Sequence, residues 1–377
     1  MGAMRARDSE AGLTMIELMV SMGLAAIAAG FAFSIYGRMS DAARVQSRVS
    51  ELQQTLRTAS DLIVRDVRLA GYMTAEAFRT AVAPTADLKA FGVENNADGF
   101  GSDLVRVVYA DTSASAKITK GPPANPFNSA VSKVESVSSF SEGELIFAVR
   151  TSNPGRGQGC AMKITKIIDG PNPMIQHNPG EGAPWNEPGN DQCSNLCGDG
   201  TNTCWDDGQT EFARFTAHAY RIHPTDPRGL LEMSPTGDLA ASTGLVDDWV
   251  TLGEGFVDMQ LALRVFQQSD TVDEDGDGDP ERDWFSGENM ETVLDTGARP
   301  ISLRLNLVGR TTGRVEGIFR TKVQDFYDKQ RPDNNSLGDH VGVTLSGTSI
   351  EGSRYTRESL YRWSSTIVDF RNMGAGL

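Results

Sequence analysis

The longest apolar pattern in the chain lies near its N-terminus, where residues 18–37 carry no charged side chain and Arg38 closes the run. A helix rises about 1.5 Å per residue, so this run would span about 30 Å, the thickness of a bilayer's hydrocarbon core. From Arg38 onward apolar residues recur at spacings of three and four, namely Ala42, Val45, Val49, Leu52, Leu56, Ala59 and Ile63. This stripe predicts an amphipathic helix that continues to about Leu69 and stops at Gly71.

The stripe has two interpretations. It could form a dimeric coiled coil, or it could pack against a β-sheet of its own chain. We expect the second, because the pattern after Tyr72 changes to strands and loops. Strands are predicted at 104–109, 145–149, 212–222, 256–266, 301–307 and 361–370. The predicted fold class is α+β, with a long N-terminal helix packed on a large antiparallel β-sheet domain.

The composition is that of a globular chain with many turns, since 39 of the 377 residues are glycine and 39% are hydrophobic. The formal net charge of −15 repels phosphates, so no direct nucleic-acid partner is expected.

The four cysteines are Cys160, Cys193, Cys197 and Cys204. Two disulfides are expected in an oxidising compartment, with three pairings open, whereas a zinc site is the competing interpretation in the cytosol. Their spacing lacks the two CxxC pairs of a zinc ribbon.

The N-terminal segment contains a carboxylate next to the apolar run, in the sequence Gly12-Leu13-Thr14-Met15-Ile16-Glu17-Leu18. A charged group within a membrane-length helix costs on the order of 2.5–3.5 kcal/mol, so Glu17 is expected to have a function and a partner. An ordinary secretory signal peptide is disfavoured. The basic residues before the run are offset by acidic ones, and the run continues directly into the amphipathic helix.

With this motif the chain resembles the type IV pilin superfamily. The resemblance implies that a prepilin peptidase cuts between Gly12 and Leu13 and methylates Leu13. It also implies that Glu17 pairs with the N-terminal ammonium of a subunit during assembly, which lowers the cost of burying both charges. The expected division is a leader at 1–12, an assembly and transmembrane half-helix at 13–37, an amphipathic half-helix at 38–71 and a β-rich domain at 72–377.

Further segments resemble the PilW family of minor pilins. They are residues 52–72, Asp98-Gly99 with Gly101-Ser102-Asp103 before the strand at 107–109, residues 252–260, residues 302–310 and Phe370-Arg371-Asn372. The region of about 155–208, which holds every cysteine, resembles an insertion.

The PilW resemblance implies a structural protein of the priming and tip complex that initiates pilus assembly, and thereby supports motility and adhesion. Its implied partners are other minor pilins, the major pilin, a PilY-type tip adhesin and the prepilin peptidase. The implied location is the inner membrane with the domain in the periplasm, and later the extracellular pilus tip. Two alternatives stay open, a GspJ-like minor pseudopilin of type II secretion and a membrane-tethered calcium-dependent binding module.

An acidic segment at 273–281 contains D-x-D-x-D-G, in which alternating carboxylates can converge on one hard cation. Asp273, Asp275 and Asp277 would bind calcium directly and Asp279 through its carbonyl. Position twelve of this loop is Trp284 instead of the glutamate of an EF-hand, and the sequence shows no flanking helix. A solvated loop is the alternative for this segment, and it is the preferred interpretation of a second acidic cluster at Asp199, Asn202, Asp206 and Asp207.

Nothing in the sequence indicates catalysis. The four histidines, His177, His218, His223 and His340, belong to no HExxH, GxSxG or P-loop motif. The chain is therefore expected not to be an enzyme and to need no organic cofactor.

Overall fold

The computed structural model describes twelve stretches of the chain: residues 14–72, 77–80, 83–97, 101–119, 131–150, 159–178, 185–186, 210–237, 249–266, 284–295, 298–311 and 361–371. The chain divides into two compact units, residues 1–51 and residues 52–377. The boundary between the two units falls within the first helix.

Helix α1 spans Met15–Leu69 and confirms the predicted continuous helix. Its C-terminal stop is the predicted one, because Gly71 has a φ of +75° and its N–H donates to the carbonyl of Val108. The apolar stripe is buried only from Leu52 onward, whereas Ala42, Val45 and Val49 are exposed or half-buried.

Sixteen strands follow in the described residues: β1 Ala77–Thr80, β2 Ala83–Lys89, β3 Phe91–Glu94, β4 Leu104–Lys117, β5 Val131–Lys133, β6 Leu145–Arg150, β7 Gly159–Lys163, β8 Lys166–Ile168, β9 Met174–Gln176, β10 Thr210–Ile222, β11 Leu230–Ser234, β12 Val250–Glu254, β13 Phe256–Phe266, β14 Trp284–Ser286, β15 Arg299–Arg310 and β16 Tyr361–Asp369. A short helix, α2, spans Glu288–Asp295. Strand β14 lies between the acidic segment and this helix.

The strands form three sheets. The nine-stranded sheet has the order β12-β11-β10-β6-β7-β1-β2, and β4 joins it by pairing with β10 and β3. The four-stranded sheet has the order β14-β13-β15-β16, and the three-stranded sheet has the order β5-β9-β8. All of these pairs are antiparallel except β1 with β7. The six predicted strands and the antiparallel α+β fold class are thus confirmed.

The main core lies between α1 and the two larger sheets. The helix contributes Leu52, Leu56, Ala59, Ile63, Val64 and Val67. The facing positions come from β3, β4, β10, β11, β13, β15 and β16, with α2 closing one end. Complete burial of one such aliphatic side chain is worth roughly 1.5–3 kcal/mol. From Leu52 onward the amphipathic half of the helix therefore packs on sheets of its own chain, whereas the predicted stripe positions Ala42, Val45 and Val49 are not part of this core.

Buried hydrogen bonds of Ser102 and Asp103, which precede β4, join the two larger sheets. The carboxylate of Asp103 accepts the backbone N–H of Leu261 at 2.7 Å, and its own N–H donates to the carbonyl of Met259. The hydroxyl of Ser102 donates to the carboxylate of Asp258 at 3.2 Å. These contacts give the Gly101-Ser102-Asp103 segment of the sequence a structural role, which is to fix β4 to β13.

The region of about 155–208 is described only at 159–178 and 185–186. Within it β7 pairs with β6 and β1 and is an internal strand of the nine-stranded sheet. Trp185 is buried against Phe215, with ring centroids 5.8 Å apart. Within this region β7 therefore belongs to the nine-stranded sheet, whereas β8 and β9 belong to the three-stranded sheet.

The turn between β10 and β11 requires glycine at position 229. Gly229 has a φ of +70°, and a Cβ atom there would overlap the backbone oxygen of Phe256. We expect Gly229→Ala to lower the free energy of unfolding by at least about 2 kcal/mol, because both the left-handed backbone and the overlap must be relieved. Urea unfolding of the detergent-solubilised chain measures this change.

The matched control for that substitution is Gly92→Ala in β3, where a Cβ would meet nothing closer than 3.7 Å. A Gly229→Ala protein as stable as the Gly92→Ala protein would contradict the close approach of the two backbones.

Candidate assembly helix and its polar anchor

The start of α1 is closed by a reciprocal pair of hydrogen bonds between Thr14 and Glu17. The Glu17 N–H donates to Thr14 Oγ1 at 3.2 Å, and the Thr14 N–H donates to Glu17 Oε2 at 3.3 Å. The Thr14 hydroxyl also lies 3.2 Å from Glu17 Oε2. This is a capping box, which satisfies backbone donors that an α-helix leaves open at its N-terminus.

The capping box fixes the position of the carboxylate that the sequence singled out. Glu17 is held in the first turn of the helix, with its carboxylate against the backbone N–H of Thr14. Gly12 and Leu13, the predicted cleavage and methylation positions, lie outside the described residues. Leu13 directly precedes Thr14 in the sequence.

The segment that follows Glu17 is apolar and is not covered by the described parts of the chain. Met19, Phe31, Phe33 and Ile35 each expose more than half of their side-chain surface. Among the described helices, α1 is long and apolar enough to cross a membrane by length and composition. Exposed apolar surface of this extent needs lipid or other apolar helices around it. The segment therefore fits membrane anchoring of the globular unit.

At the other end of α1, a buried carboxylate connects the helix to the nine-stranded sheet. Asp66 is completely buried, and its Oδ2 accepts the hydroxyl of Tyr220 at 2.6 Å. The same oxygen lies 2.5 Å from Nδ1 of His218. The other carboxylate oxygen lies 3.2 Å from Nε of Arg65, whose side chain is mostly exposed. We call Asp66, His218 and Tyr220 the polar anchor.

The charge state of the anchor follows from these contacts. Burial alone would raise the pKa of Asp66. The hydrogen bonds from His218 and Tyr220 and the charges of His218 and Arg65 lower this pKa by more than burial raises it, so the net shift is downward. Burial and the Asp66 charge raise the pKa of the Tyr220 phenol far above its usual range and that of Tyr109 to about 12. Asp66 is therefore ionised and the phenols are neutral near neutral pH.

The anchor holds the helix and offers no access for a substrate, because its central carboxylate has no exposed surface. A second polar pair, Ser132 Oγ and His177 Nε2, lies 3.2 Å apart in the three-stranded sheet, and both residues are buried. A serine nucleophile must reach its substrate, so this pair does not form a hydrolytic site. The polar anchor and the Ser132–His177 pair both stabilise packing.

The remaining predicted site residues fall mostly outside the described stretches. Asp273, Asp275, Asp277 and Asp279 lie there, as do Cys193, Cys197 and Cys204, while the backbone of Cys160 lies in β7. Within the described stretches, no group of three or more His, Cys, Asp or Glu side chains is placed to hold a metal ion. The calcium and disulfide predictions therefore stay predictions.

Sequence reasoning missed the polar anchor and assigned no role to His218. One available signal was the acidic side chain of Asp66 between Ile63 and Val67, on the face of α1 that carries the apolar stripe. A charge on the buried face of an amphipathic helix indicates a buried partner. The identity of that partner could not be read, because His218 and Tyr220 are more than 150 positions away.

Comparison with known proteins identifies the N-terminal segment alone. Residues 7–33 match the family model described as the prokaryotic N-terminal methylation motif. This match includes Gly12, Leu13 and Glu17 and the first part of the apolar run. No curated protein and no solved structure matches the chain. The chain thus has a type IV pilin-like N-terminal signal, followed by an apolar helix and a large antiparallel β unit.

The polar anchor makes stability dependent on an ionised Asp66. We expect Asp66→Asn to cost roughly 2 kcal/mol of unfolding free energy at neutral pH, because a charged acceptor of two short hydrogen bonds is lost. The lowered pKa of Asp66 means that its contribution is complete above the ordinary aspartate value of about 3.9 and is lost as the pH falls toward the lowered value.

Urea unfolding of the detergent-solubilised chain between neutral and acidic pH tests this expectation. The control is Asp61→Asn on the exposed face of α1, which should change stability by less than about 0.5 kcal/mol. An Asp66→Asn protein that lost as much stability on acidification as the wild type would show that Asp66 is not the group involved.

Proposed function

We propose that this protein is a PilW-like minor pilin of a type IV pilus. The observation that carries the proposal is the N-terminal methylation motif with Glu17 at the start of a long apolar helix, joined to a large β unit. A structural role follows from this arrangement. The apolar helix docks against the helices of other subunits, and the β unit is presented outside the membrane.

The helix start supports a defined route of maturation. A prepilin peptidase cuts between Gly12 and Leu13 and methylates the new terminus, while the chain is held in the inner membrane by residues 13–37. Glu17 then pairs with the ammonium of a subunit's Leu13 as the helices come together. Two opposite charges buried together cost less than either charge alone.

The size of the β unit supports a place at the pilus tip. A domain of residues 72–377 is difficult to repeat along a tightly packed shaft, whereas the tip accepts a single bulky subunit. The proposed partners are other minor pilins, the major pilin and a PilY-type adhesin, and the protein would thereby support motility and adhesion. The domain lies first in the periplasm and later outside the cell.

The nearest alternative is a GspJ-like minor pseudopilin of a type II secretion system, which would have the same N-terminal signal. The neighbouring genes distinguish the two functions, since one set encodes minor pilins and an adhesin and the other encodes secretion components. A non-enzymatic role suits both, because the polar anchor and the Ser132–His177 pair are buried in packing positions.

Two further proposals concern the extracellular part of the chain. Cys160, Cys193, Cys197 and Cys204 form two disulfides after export. The loop of Asp273, Asp275, Asp277 and Asp279 binds a calcium ion, and a membrane-tethered calcium-dependent binding role could coexist with the pilin role.

The proposal predicts that the mature protein begins with N-methylated Leu13 and that Glu17→Ala is processed but fails to assemble. The reason is that the peptidase acts at Gly12, whereas assembly requires the carboxylate. N-terminal sequencing of the mature chain and counting of pili by electron microscopy are the two measurements.

The matched control is Glu17→Asp, which keeps the charge and should retain part of the assembly. An initiator methionine on the mature chain, or removal of the whole apolar segment, would reject the proposal. Normal piliation with Glu17→Ala would remove the role assigned to this carboxylate.

The calcium proposal has its own test. Calcium should raise the melting temperature of the full chain, and replacement of Asp273, Asp275 and Asp277 by alanine should abolish that rise, because the direct ligands are gone. Magnesium serves as the control ion, since its preference for near-ideal octahedral geometry suits such a loop poorly. If calcium raised the melting temperature of the variant as much as that of the wild type, the loop would not be the calcium site and the solvated interpretation would hold.

A further inference from the structure

We draw no further inference here: the strongest candidate, the buried side-chain cluster of Asp258, Gln260 and Asn306 in strands β13 and β15, belongs through Asp258 to the hydrogen bonds that join the two larger sheets, and nothing in the described residues shows what would contact the buried amide of Asn306.

Discussion

The burial of one face of α1 from Leu52 to Val67 is the interaction on which the β unit depends. The two larger sheets both turn apolar positions toward this face, and their side chains meet in a single core around Ile63 and Val67. Neither sheet could bury these positions against solvent without the helix. From Leu52 onward, helix α1 is therefore a structural part of the β unit, while its exposed apolar part before Leu52 fits membrane anchoring.

Local patterns explain why much of this fold could be predicted. The long helix follows from the uncharged run and the stripe after it, and strands such as β13 and β15 follow from dense or alternating apolar residues. Strands β5, β8 and β9 were missed because three residues cannot establish a period of two. The helix α2 was missed because it is a short element that begins directly after Gly287.

The candidate site shows the same division between local and distant information. Glu17 could be identified from sequence because its context, the preceding Gly12 and the following apolar run, is contiguous. Its hydrogen bonds to Thr14 are also local. The polar anchor required the three-dimensional structure, because the carboxylate of Asp66 receives its partners from β10.

The order of contacts along α1 has a mechanical consequence. A pulling force that enters the β unit through the N-terminal part of the helix acts first on the apolar contacts of Leu52 and Leu56 and last on the hydrogen bonds of Asp66. Breaking those hydrogen bonds would leave a buried carboxylate and a buried phenol without partners, which costs more than the exposure of one apolar side chain. The helix would thus resist extraction most strongly near Asp66.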